Sequence, residues 1–155
     1  MLPEPPELAP PACNCLALRQ AARQVTQIYD RHLAPTGLRA TQFSVLARLG
    51  RVGPAPISAL AAGLAMDRTT LGRALRPLSR DGLLRIGPGR DGRTRALHLT
   101  EAGRARLDAA APLWRAAQAE FEAGFGTAEA AALREALGRA AVAAASTPEP
   151  APAFS

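Results

Sequence analysis

From Cys15 onward, apolar residues recur at spacings of three and four. Leu18, Ala22, Val25, Tyr29 and Leu33 fall on one face of a first helix, and Arg19, Arg23, Gln27 and Arg31 fall mostly elsewhere. Pro35, Thr36 and Gly37 break that helix. Thr41, Phe43, Val45, Leu46 and Leu49 supply a second stripe, closed by the run from Gly50 to Pro56. Pro56 and Ile57 predict a short strand, followed by Ser58 as the N-cap of a third helix carrying Leu60 and Leu64. After a tight connection at Ala65 and Met66, Asp67 caps a fourth helix running from Arg68 towards Ser79. Pro77 has no N–H to donate and is expected to kink or shorten that helix near Ala74 to Arg76.

Beyond Asp81 and Gly82 the period changes to two. Leu84 and Ile86, then Leu97 and Leu99, alternate with polar neighbours on either side of the Gly87–Gly92 cluster, which predicts a β-hairpin with a long basic tip. Thr100 caps a long helix whose positions Leu107, Ala111, Trp114, Gln118 or Ala117, Phe121 and Phe125 step again by three and four, and Thr127 caps a last helix through Leu133 and Leu137. The expected fold is mainly α with a small β-hairpin wing: a winged helix-turn-helix plus a helical dimerisation region.

Composition sets the outer limits of this picture. With 155 residues the chain suits one domain, placed at residues 13–145. Within it, dimerisation helices are expected at about 13–35 and 101–145, and the winged helix-turn-helix at about 55–100. Eight of the 14 prolines lie within residues 1–12 and 148–155, so residues 1–12 and 146–155 read as disordered proline-rich tails. The opening Met1 to Pro6 stretch lacks a basic segment and is broken by prolines, unlike a signal peptide, and no apolar run approaches the ~18 residues of a membrane span. A cytoplasmic protein without a membrane partner is expected. Cys13 and Cys15, one residue apart, are too close to staple a fold usefully, and a reducing compartment keeps them as thiols.

Charge changes the picture more than composition does. All 19 basic residues are arginine, and ten of them fall between Arg68 and Arg106 against only Asp81, Asp91 and Glu101. Such a cluster predicts a polyanionic partner, and in a winged helix-turn-helix that partner is double-stranded DNA. Arg68, Thr69, Thr70 and Arg73, at the start of the second helix of the pair, are placed to reach base edges in the major groove. Arginine forks onto guanine O6 and N7, and threonine offers a hydroxyl and a methyl group. Arg76 and Arg80 are expected on phosphate, and Arg90, Arg93 and Arg95 at the hairpin tip in or along the minor groove, where the negative potential attracts a guanidinium. Asp91 is read as structural, fixing the tip by pairing with a neighbouring arginine.

Three stretches resemble the MarR family of bacterial regulators: Asp91, Gly92, Arg93 with Leu97 to Gly103; Leu38 to Leu46; and Met66 to Leu71. The resemblance runs over about Cys15 to Leu137. It implies an obligate homodimer built from the first and last two helices, binding a pseudo-palindromic operator, most often as a repressor released by a small molecule or by oxidation. Independently, Leu18, Val25, Tyr29, Trp114, Phe121, Leu133 and Leu137 offer more apolar surface than a small DNA-binding lobe can cover.

Two signals are open. Cys15 at the start of the first helix, with Tyr29 on the same face, is similar to the organic-hydroperoxide-sensing branch of that family. Ala40 and Arg19, however, stand where that branch carries aromatic residues. A helix N-terminus lowers a thiol pKa and a thiolate is what peroxides attack, so Cys15, with Cys13 beside it, is the candidate redox site. The competing reading has Cys15 as a small buried residue in helix packing. The other signal is a small aromatic or phenolic ligand, for which Arg19, Arg23, Tyr29, His32 and Trp114 are the candidate pocket residues. No cofactor, metal site or catalytic set is expected: no phosphate-cradling glycine loop, paired carboxylates or credible Cys-His or Ser-His arrangement is visible. A winged helix used only for protein contacts fits the fold but leaves the arginine cluster unexplained.

Overall fold

The computed structural model describes residues 13–146. The proline-rich tails expected from the sequence lie outside these residues, apart from Ser146, which caps the last helix. Six α-helices and one hairpin follow in the order α1 (Asn14–Leu33), α2 (Ala40–Val52), α3 (Ile57–Gly63), α4 (Arg68–Arg80), β1 (Leu84–Pro88), β2 (Arg95–Leu99), α5 (Glu101–Phe125) and α6 (Thr127–Ala145), with a short 3-10 turn at Ala34–Thr36. The chain divides into two compact units after Gln118.

The first unit is built around leucines from every element. Leu33, Leu46, Leu49, Leu60, Leu71, Leu78 and Leu97 are almost fully buried, as is Val45. α2 lies at the centre, against α1, α3, α4 and β2. Phe43 on α2 stacks on Trp114 of α5 with ring centroids 5.9 Å apart. The start of α2 is held by Asp30 of α1, whose carboxylate accepts from Ala40 N at 2.7 Å and meets the Arg39 guanidinium at 3.4 Å.

Along α1 the predicted stripe is buried only towards its C-terminal end. Leu33 is inaccessible, Val25 and Tyr29 are half-buried, and Leu18 is 46% exposed. Cys13 is the N-cap, its Sγ accepting from Leu16 N at 3.4 Å.

Three local expectations are corrected. Ser58 does not cap α3: Ile57 already belongs to the helix and Pro56, with φ −59° and ψ 150°, occupies the cap. The extended pairing lies one step earlier, as the isolated bridge between Ala55 and Leu97. Nor does Pro77 break α4, which runs unbroken to Arg80. Pro77 stands in the last turn, where only the Arg73 carbonyl loses a helical partner and Asp81 N still donates to the Pro77 carbonyl at 2.9 Å. Between α3 and α4 the chain turns on Ala65 at φ 50°, with Met66 N bonded back to the Ala61 carbonyl at 2.9 Å.

The hairpin pairs Leu84 with Leu99 and Ile86 with Leu97. Its junction with α5 is tight. Thr100 N donates to the Leu83 carbonyl at 3.1 Å, Thr100 Oγ1 donates to the Gly82 carbonyl at 2.7 Å, and the same oxygen accepts from Gly103 N at 3.0 Å, capping α5 as the sequence predicts.

The second unit holds the end of α5 and α6. Phe121 and Phe125 stack at 5.4 Å, and Arg134 meets Glu122 at 3.3 Å. α6 starts from Gly126, at φ 105°, so Thr127 is its first helical residue and not its cap. Beyond Leu133 every described residue of α6 is exposed, including Leu137 at 41% and Val142 at 68%.

Candidate nucleic-acid interface

α4 is strongly two-faced. Leu71, Ala74, Leu75 and Leu78 turn into the core, while Arg68, Thr69, Thr70, Arg73 and Arg76 are all exposed. Asp67 fixes the start of the helix: its carboxylate accepts from Thr70 N at 2.8 Å and from Thr70 Oγ1 at 2.6 Å. The Thr70 hydroxyl therefore spends its proton on Asp67 and keeps only its lone pairs and methyl group for a partner, a narrower role than the sequence suggested. Arg80, at the end of the helix, pairs with Asp81 at 3.2 Å.

The wing tip is organised by Asp91, by a route the sequence reading did not anticipate. Among the described residues its Oδ1 takes no arginine side chain. It accepts from the backbone N–H groups of Arg93 and Thr94, both at 3.0 Å, and from Thr94 Oγ1 at 2.8 Å. An Asx-type turn, with Gly92 at φ 70°, thus shapes the tip and leaves the Arg93 and Arg95 side chains exposed. Arg90 is different. Its Nη2 donates to the Val52 carbonyl at 2.9 Å, tying the tip to the end of α2, so Arg90 is not free to lie in a groove as expected. A contact spanning 38 positions leaves no mark on local spacing.

Hydrogen bonds from Thr70, side chain first and then backbone, hold the Asp67 carboxyl below its ordinary range. The Thr94 backbone bond, then its hydroxyl, then the Arg93 N–H do the same for Asp91. Because both folded values are depressed, the ordering these carboxylates provide is complete above the ordinary carboxylate pKa. It is lost only as pH falls through the depressed values. The amide resonances of Thr70, Arg93 and Thr94 should therefore stay constant from neutral pH down to about pH 4 and move only below it.

The remaining candidates are scattered. Cys13 and Cys15 are both exposed at the start of α1, which removes the buried-packing reading of Cys15 in the single chain. Arg19 and Arg23 are exposed, Tyr29 and His32 are half-buried, and Trp114 is committed to its stack on Phe43. Among the described residues no cluster of three or more His, Cys, Asp or Glu could hold a metal, and no helix is long and apolar enough to cross a membrane.

A helix pair joined by a tight turn, an arginine-faced second helix and a hairpin beside it define a winged helix-turn-helix protein. The MarR family profile matches residues 38–87, from the start of α2 into β1. A crystal structure of the transcriptional regulator MosR of M. tuberculosis is 43% identical over 86% of this chain and 98% of that one, with a TM-score of 0.74. A second structure of MosR, in complex with DNA, is 44% identical over 85% and 96%, with a TM-score of 0.75. A probable transcriptional regulator from Pseudomonas aeruginosa is 31% identical over 83% and 96%, with a TM-score of 0.73. No curated protein sequence matches the chain. The chain belongs to the MarR family of transcriptional regulators.

Proposed function

We propose that the protein binds a pseudo-palindromic operator in double-stranded DNA as a homodimer and represses transcription until a signal releases it. The observation that carries this reading is the exposed ridge of Arg68, Thr69, Thr70, Arg73 and Arg76 on the face of α4 opposite its core packing. The first four read bases, Arg76 and Arg95 hold phosphate, and Arg93 lies in or beside the minor groove. Dimerisation rests on the apolar residues left exposed on α1, α5 and α6: Leu18, Phe125, Leu137 and Val142. Three backbone-contacting arginines per subunit, Arg76, Arg93 and Arg95, make about six in a dimer. The logarithm of affinity for duplex DNA should then fall against the logarithm of salt with a slope of about −5. Binding that ignores salt contradicts the reading, and favours a winged helix used for protein contacts.

Release by a small aromatic or phenolic molecule is one signal; oxidation is a second, favoured by one observation. Cys13 and Cys15 are exposed at the positive end of α1, and Cys13 Sγ already accepts a backbone N–H there. An organic hydroperoxide oxidises a cysteine thiolate to a sulfenate while itself being reduced to its alcohol, and exposure leaves both thiols open to that attack. Peroxide should weaken DNA binding by the wild type and not by Cys15→Ser. Equal behaviour of the two proteins eliminates the redox signal.

A further inference from the structure

The last carbonyls of a helix have no partner within it and depend on what lies beyond. At the end of α2 the following chain supplies little. Gly53, at φ 78°, turns its N–H back to the Leu49 carbonyl at 2.9 Å. The residues four places beyond Gly50 and Val52, however, are Pro54 and Pro56, which have no N–H to give. Between them, Ala55 N donates across to the Leu97 carbonyl of the wing at 3.2 Å. The two carbonyls that the prolines leave bare are the two that arginines reach from far along the chain. Arg104 Nη2, in the first turn of α5, donates to the Gly50 carbonyl at 3.3 Å, and Arg90 Nη2, at the wing tip, donates to the Val52 carbonyl at 2.9 Å. Both cations stand at the negative end of the α2 dipole, where a charged donor is best placed.

We propose that Arg90 is a positioning residue for DNA binding: by serving the carbonyl that Pro56 leaves bare, it fixes the wing tip, and with it Arg93 and Arg95, without touching DNA itself. The inference rests on the DNA-binding reading above. The rest of the hairpin is held lower down, at its root by Thr100 and Gly103 and at mid-length by the Ala55–Leu97 bridge, with bonds of 3.2 and 2.8 Å. The bonds at the tip itself are internal: Asp91 accepts from Arg93 and Thr94, and Gly89 N donates to the Thr94 carbonyl at 2.6 Å. They shape the turn without aiming it. Among the described residues, the Arg90 bond is the one hydrogen bond that joins residues 89–94 to an element outside the wing. A tip held in advance does not have to be ordered when it meets the duplex, so the tie appears as affinity.

The test measures duplex DNA binding by Arg90→Ala in the full chain, once alone and once on top of the Arg93→Ala, Arg95→Ala pair. Alone, it should lower affinity about fivefold. On the pair its effect should shrink to less than about 1.5-fold, because the side chains it positions are gone. Low salt keeps the weakened variants measurable. In the DNA-free protein, the heteronuclear NOE of the Gly92, Arg93 and Thr94 amides should fall in Arg90→Ala and stay unchanged in Arg93→Ala. Equal losses in the two backgrounds would make Arg90 a direct DNA contact or a prop for the whole fold, and overturn the proposal. No loss in either background, or tip amides unaltered by Arg90→Ala, overturns it as well. Failure of the wild type to bind duplex DNA sinks the DNA-binding reading, while the NOE values still decide whether Arg90 orders the tip.

Discussion

Arg73→Ala should weaken operator binding by about 1–3 kcal/mol, or about 5- to 150-fold, and should flatten preference at one base pair of each half-site. Arg73 stands one turn into α4, exposed, and makes no hydrogen bond or ion pair among the described residues, so the fold loses nothing with it. What disappears is a guanidinium fork aimed where α4 enters the major groove. Because the lost contact is to a base edge, the salt slope should barely change. Arg93→Ala makes the contrast: its side chain leaves the tip beside Asp91, and its loss should weaken binding to most sequences alike and lower the salt slope by about one per site. A competition assay across operators differing at single base pairs, run at two salt concentrations, separates the two. Equal losses on every sequence for Arg73→Ala would remove it from base recognition.

Gly103→Ala should be the most damaging single methyl group in the protein. Gly103 is buried in the first turn of α5, where an added Cβ would collide with the Leu83 carbonyl and come within 2.7 Å of Leu99 Cδ1. The carbonyl cannot yield cheaply, since it also accepts from Thr100 N and sets the approach of the hairpin to α5. Overpacking against backbone costs about 3 kcal/mol here, the upper part of the usual range, and should lower the melting temperature by about 10 °C. The wing hangs from this junction, so DNA binding should fall as well. Thermal unfolding of the variant within a degree or two of the wild type would show that the junction relaxes, and that the wing is not positioned by it.

The helices were legible wherever burial follows a regular period. The α4 stripe of Leu71, Leu75 and Leu78, the hairpin alternation and the Asp67 and Thr100 caps are local signals, and each residue does in three dimensions what its neighbours in sequence require. The misplaced caps at Ser58 and Thr127 fell beside Pro56 and Gly126, whose backbone conformations set the helix start one or two residues earlier than side-chain chemistry alone suggests. Contacts across the fold stayed invisible. Nothing near Asp30 announces that it caps α2, and nothing near Arg90 announces Val52. The structural place of Asp91 at the tip is legible in the sequence but its partners are not, because backbone N–H groups carry no sequence signature.

Selection of duplexes from a random pool is the most direct test of base-specific recognition by a symmetric pair of α4 helices. The expected result is enrichment of a pseudo-palindrome whose half-sites lie about one helical turn apart, 10–10.5 base pairs centre to centre, with Arg73→Ala losing preference at one position in each half. An unenriched pool, or a single site without two-fold symmetry, would contradict it.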